Sequence, residues 1–187
     1  MTDNRSDLAV IQAVIDGDKS SYGILVNRHK DFAYTLALRI MNNAADADEV
    51  AQDAFIKAYR SLSKFNKESK FTTWLYRIVV NTALSYKRKQ KRDIVDTVEE
   101  IPTTGFTDEN RSLEFQDQQR FIALAMKQLL PLDATVITLY YLKELSLDEI
   151  ADITELNMST LKVRLFRARK RIAKELELIL KKEVTAL

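Results

Sequence analysis

Residues 71 to 92, FTTWLYRIVVNTALSYKRKQKR, place two different faces on one helical period. Leu75, Ile78, Val79 and Thr82 recur at helical spacing and suit a core. Trp74, Arg77, Asn81, Ser85 and Arg88 fall at i, i+3, i+7, i+11 and i+14, on another face. That second face carries an indole, guanidinium groups and an amide, and it runs into Lys87, Arg88, Lys89, Lys91 and Arg92. Cations neutralise phosphates, aromatic rings stack on unpaired bases, and asparagine reads base edges. The stretch therefore predicts a helix with one buried side and one side suited to opened or single-stranded nucleic acid.

Outward from this helix the pattern stays helical. Upstream, Val50, Ala51, Ala54, Phe55, Ala58, Tyr59 and Leu62 form an amphipathic stripe, and Tyr22, Leu25, Val26, Phe32, Ala33, Leu36 and Ile40 mark a longer helix. Leu8, Ile11, Val14 and Ile15 mark the first helix, with Gly17 placed to cap its end. Thr72 or Thr73 is expected to N-cap the helix at 71–92. Downstream the texture changes. Residues 93 to 117 hold eight acidic side chains against the single Arg111, have no helical period, and include Pro102 and Gly105. This segment reads as a flexible linker with a reach of at most ~80 Å. Helical spacing resumes with Phe121, Leu124, Ala125 and Leu129, then Pro131 in a first helical turn, then Val136, Leu139, Tyr140 and Leu142. Three glycines and two prolines argue against a turn-rich β fold. The expected architecture is all-α: a first helical domain over 1–92, an acidic linker over 93–117, and a second helical domain over 118–187.

The second domain carries SLDEIADITELNMSTLKVRLFRARKRI, residues 146 to 172. Ser146 with Glu149 forms a capping box, a short helix runs from Leu147 to Ile153, and a second helix starts near Asn157 or Ser159. The second helix turns Leu161, Leu165, Ala168 and Ile172 to a core and Lys162, Val163, Phe166, Arg167, Lys170 and Arg171 outward. Helix, short turn and basic helix is the layout of a helix-turn-helix whose second helix enters the major groove. A solvated basic face and a basic membrane-surface helix are the competing readings.

Composition narrows the function. A chain of 187 residues with 46% hydrophobic side chains can build a packed core. Its net charge of +2 hides segregation, since Lys162 to Lys174 contains seven basic residues and no acidic one. Cysteine is absent, which excludes disulfides and thiolate metal sites. The N-terminal stretch is too polar for a signal peptide, and no apolar run approaches the ~18 residues of a membrane span, so a cytoplasmic protein without membrane contact is expected. No nucleophile–base–acid set or Gly-rich phosphate loop marks an enzyme. Asp46, Asp48, Glu49 and Asp53 form a carboxylate cluster, but a dinuclear carboxylate site also needs histidines at Glu-x-x-His spacing, and the chain has one histidine. No metal and no cofactor are expected. His29, between Val26 and Phe32, reads as a hydrogen-bonded histidine at the core edge.

With these motifs in this order, the chain resembles the bacterial sigma factors of the extracytoplasmic-function (ECF) group over nearly its whole length. ADADEVAQDAFIKAYRSLSKF is similar to the family's acidic-Gln-acidic-Phe segment, KFTTWLYRIVVNTALSYKRK to its minus-ten segment, and LPLDATVITLYYLKELSLDEIADI with STLKVRLFRARKRI to the domain that reads the minus-35 element. The resemblance implies that Asp48, Glu49, Gln52, Asp53 and Lys57 dock on the clamp coiled coil of the largest subunit of core RNA polymerase, the second domain contacting the flap. It implies a minus-ten surface of Arg60, Lys64, Phe65, Asn66, Thr73, Trp74, Arg77, Asn81 and Arg88. There Phe65 stacks on an extruded base, Asn66 and Asn81 read it, and Lys57, Arg60, Lys64 and Arg77 hold phosphates; core packing is the competing reading of Phe65 and of Trp74. It implies that Lys162, Val163, Phe166 and Arg167 face bases of the minus-35 duplex while Thr160, Arg164 and Arg171 hold phosphates. The promoter elements lie about 25 base pairs, or ~85 Å, apart at about 34 Å per helical turn. Partners are core polymerase, duplex and single-stranded promoter DNA, and an anti-sigma factor. The chain departs from the family pattern at Glu155 and Ser159, where glycine is common, and at Val163, where serine is frequent. The competing function is a stand-alone helix-turn-helix regulator of duplex DNA that works without polymerase.

Overall fold

The computed structural model describes residues 4–93 and 113–186, with side chains described for 4–90 and 118–181. Among the described residues there is no strand. The helices are α1 (Asp7–Ile15), α2 (Tyr22–Met41), α3 (Ala44–Ser61), α4 (Phe71–Asp93), α5 (Leu113–Lys127), α6 (Pro131–Leu142), α7 (Leu147–Thr154) and α8 (Met158–Ala186).

Local chemistry explains most of the boundaries. The Ser6 hydroxyl accepts from the Ala9 N–H to open α1. Gly17, at φ +112, closes it, with its own N–H on the Val14 carbonyl and the Asp18 N–H on the Ala13 carbonyl. Asn42 in the left-handed region ends α2, and the Asn43 side chain caps α3 one residue later, so the two helices fold back on each other through a minimal joint. Pro131 sits in the first turn of α6. The capping box of Ser146 and Glu149 opens α7 as expected. The α8 helix begins at Met158, with the Asn157 side chain accepting from the Thr160 N–H at 2.8 Å.

Three expectations shift. Neither Thr72 nor Thr73 caps α4, which begins earlier, at Phe71. The linker expected over 93–117 is helical at both ends, since α4 runs through Asp93 and α5 starts at Leu113; the remainder of that stretch lies outside the described residues. Leu8, Ile15 and Leu142, assigned to core stripes, are exposed.

The antiparallel α2 and α3 pack with α4 into a three-helix unit, and α1 covers α2. In the second unit α5, α6 and α7 pack around α8. The two units lie against each other: α7 packs on α4 and α6 on α2, and one continuous core runs from Val10 to Ala168. This contact gives α4 a wide buried arc holding Leu75, Tyr76, Val79, Val80, Thr82 and Ala83, and leaves a narrow exposed stripe.

Candidate nucleic-acid interface

The exposed stripe of α4 is the polar face legible in its sequence. Arg77, Asn81, Ser85 and Arg88 are exposed, and Trp74 is half-buried at its N-terminal end. Arg60 and Lys64, exposed at the end of α3 and in the loop after it, extend the cationic surface. Asn66 is exposed, but both ends of its amide are engaged by Glu68 in a tight local turn. Lys67 takes a left-handed conformation in that loop, at φ 62.

Two residues expected on this surface are absent from it. Phe65 is only 4% exposed; its ring lies 5.8 Å from that of Phe71 and 5.4 Å from that of Trp74. The aromatic cluster seals the end of the three-helix unit, so burial of the ring outcompetes its display to a base. Thr73, also 4% exposed, faces the core because it sits on the buried arc of α4. Lys87 likewise leaves the cationic set. Its ammonium donates to the Ile40 carbonyl at 2.7 Å and reaches that of Met41 at 3.5 Å, capping α2 through its free C-terminal carbonyls. Burial lowers its pKa, against the opposing pull of Asp46. The core-edge reading of His29 holds: its Nε2 lies 2.8 Å from Asp7, and its ring is 5.6 Å from Phe71.

The polar face of α3 splits into two flanks. On one, Glu49 accepts from the Tyr86 hydroxyl at 3.0 Å, and Asp53 pairs with Lys57 at 2.7 Å, whose ammonium also reaches Thr82. On the other, Asp48 and Gln52 are hydrogen-bonded to each other at the edge of a groove of about 880 Å³ between α2 and α3. Phe55 floors this groove, and Ile56 and Tyr59 rim it at 49% and 37% exposure. Tyr22 stands against Tyr59 edge to face and donates its hydroxyl to the Phe55 carbonyl at 2.7 Å, and burial raises its pKa. The sequence reading missed the groove. Its one visible signal was Ile56, an apolar residue on the polar side of the α3 period.

On α8, Lys162, Val163, Phe166, Arg167 and Lys170 form a continuous exposed face. The Lys170 ammonium lies 4.9 Å over the Phe166 ring. Arg171 is exposed and pairs with Glu175, while Thr160 is half-buried. Arg164 turns the other way. Its guanidinium donates to Asp133 in the first turn of α6 at 2.6 Å, so it braces the domain. The reason is angular: Arg164 lies on the flank of α8 that faces α6.

The two units meet at the exposed polar stripe of α4. Glu155, at the turn between α7 and α8, has φ 57. Its carboxylate accepts from Arg77 Nε at 2.9 Å and Nη2 at 2.6 Å. The Arg77 guanidinium holds the Glu155 pKa below its ordinary value. A second bridge joins Lys70 to Glu149 at 2.8 Å and lowers the Glu149 pKa, helped by the Ser146 N–H. Lys143 adds a third contact, its ammonium 4.5 Å over the Phe32 ring.

Among the described residues no group of three or more His, Cys, Asp or Glu side chains is arranged to hold a metal ion. Nor is any helix long and apolar enough to cross a membrane.

Comparison with known proteins matches the sigma-70 region 2 model to residues 25–93 and the sigma-70 region 4 model to residues 122–172. The ECF RNA polymerase sigma factor SigW of Bacillus subtilis is 35% identical over 181 residues, covering 89% of this chain and 94% of the relative. The ECF RNA polymerase sigma-E factor of Haemophilus influenzae is 35% identical over 188 residues, covering 95% and 98%. Among solved structures, the sigma factor RpoE in complex with the anti-sigma factor NepR, from Bartonella quintana, superposes with a TM-score of 0.68 at 23% identity, covering 81% of this chain and 94% of that one. CnrH in complex with the cytosolic domain of CnrY gives 0.65 at 24% identity, covering 92% and 97%. At these identities the structural likeness is one of fold.

Proposed function

The chain belongs to the ECF group of RNA polymerase sigma factors, and from that premise we propose how its surfaces divide the work of a core-polymerase-binding, promoter-recognising protein. The groove between α2 and α3 receives the polymerase. Its apolar floor and rim suit a helical partner, while Asp48, Gln52 and, on the far flank, Glu49, Asp53 and Lys57 supply a polar border that sets register. The α4 stripe takes the minus-ten element: Asn81 reads a base, and Arg60, Lys64, Arg77 and Arg88 hold the backbone, with Trp74 and Asn66 at its edge. Lys162, Val163, Phe166 and Arg167 face the minus-35 bases, with Thr160 and Arg171 on flanking phosphates. None of these steps requires the protein to make or break a bond, and we read it as a non-catalytic, cytoplasmic factor held in check by an anti-sigma partner.

The observation that carries this division is the groove, a concave surface with two exposed apolar rims on the very helix that bears the expected polymerase contacts. A stand-alone duplex regulator has no use for it. Ile56→Asp is expected to weaken binding to core polymerase at least tenfold, as for loss of a central interface anchor, while single-strand binding is unchanged. Core polymerase captured equally well by the variant, with run-off transcription intact, would refute the assignment.

A further inference from the structure

The bridge from Glu155 to Arg77 engages a side chain assigned to minus-ten DNA, one helical turn before Asn81 on the same exposed stripe. A carboxylate there offers that guanidinium what a nucleic acid offers it, acceptor oxygens with negative charge. It comes from the other DNA-reading unit, from the turn that orients the recognition helix α8. The position is also conformationally costly: a residue with a Cβ at φ 57 is strained by ~1 kcal/mol relative to glycine. Arg77 and Glu155 are 50% and 52% exposed, so the contact is open to competition from solvent and from DNA. The packed arrangement is itself incompatible with reading two sites ~85 Å apart, since a compact chain of this length has a radius of gyration of only ~16 Å.

We infer that Glu155 is an intramolecular latch: it occupies Arg77 and holds the second domain against the first until single-stranded promoter DNA displaces it. Opening for the minus-ten strand and release of the helix-turn-helix toward the minus-35 duplex then become one event. The inference rests on the minus-ten assignment made above.

The test uses the full chain and exploits its lack of cysteine. Dyes on an N27C/K174C chain report the separation of the units by energy transfer, and anisotropy with a fluorescein-labelled pool of random single-stranded deoxyoligonucleotides reports binding. Glu155→Gln removes the charge; Glu155→Gly removes it and relieves the backbone strain, so it cannot fail through misfolding of the turn. Both are expected to lower the closed population and tighten single-strand binding by about two- to fivefold at low salt, the range for loss of an exposed ion pair. The gain should vanish in an Arg77→Ala background and be absent from Glu177→Gln, the same charge change on the distal part of α8. If Arg77→Ala weakens single-strand binding while both Glu155 variants leave affinity and energy transfer unchanged, the latch is overturned and the minus-ten assignment stands. If Arg77→Ala and Asn81→Ala leave affinity unchanged, the assignment falls and the latch with it.

Discussion

Phe65 separates a core role from a base-stacking role. Its ring is 4% exposed and touches both Phe71 and Trp74. A phenylalanine of this kind buries ~150–250 Å², which at ~25 cal/mol per Å² is an upper estimate of ~4–6 kcal/mol. Measured Phe→Ala losses of ~3–5 kcal/mol agree with that scale. Phe65→Ala is therefore expected to lower Tm by ~6–20 °C, at ~2–4 °C per kcal/mol for a chain of this size. Phe65→Leu keeps most of the volume but loses two ring contacts, and should cost ~1–2 kcal/mol. Urea unfolding followed by intrinsic fluorescence is the assay, because Trp74 is the sole tryptophan and sits 5.4 Å from the substituted ring. Single-strand affinity of folded Phe65→Leu should match that of the parent. An unchanged urea midpoint for Phe65→Ala, with single-strand binding weaker by the ~1–3 kcal/mol of a lost stacked base, would show that the ring leaves the core to meet DNA.

Two further outcomes follow from the same geometry. Arg164→Met should destabilise the second domain by ~1–2 kcal/mol, because the mostly buried Asp133 loses a charged hydrogen-bond partner; the salt dependence of duplex binding should keep its slope, whereas loss of a phosphate contact would flatten it by ~1. Glu149 and Glu155 both have pKa values lowered from 4.5. A carboxylate whose pKa is lower in the folded state stabilises that state above its unfolded value, and the contribution disappears as pH falls through the folded value. Closure of the two units should therefore weaken only below about pH 4.5, by no more than ~1 kcal/mol given their exposure to solvent, and E149Q/E155Q should flatten that dependence in energy-transfer measurements.

Much of the site was legible in the order of residues. The polar stripe of α4 follows from helical spacing alone, as does the exposed face of α8, because a helix converts sequence separation directly into angle. The capping box at Ser146 and the glycine close of α1 are equally local, since each involves side chains or carbonyls within a few residues. Arg164 shows where locality ends: its spacing on α8 does not reveal that Asp133 stands opposite, 31 residues away. Lys87 shows the same limit, as a cation in a basic run whose partners are the carbonyls that end α2.

What the sequence determined by itself is the helical class, the two-part organisation, and the family to which three motifs in register assign the chain. These depend on periodicity and on short-range capping chemistry. Only the tertiary structure decided which aromatic rings close the core, that α2 and α3 leave a groove between them, and that Glu155 meets Arg77 across the two units. Each of those is a contact between segments distant in the chain. Burial and ion pairing there are set by which helix lies opposite, a relation that no local pattern of residues encodes.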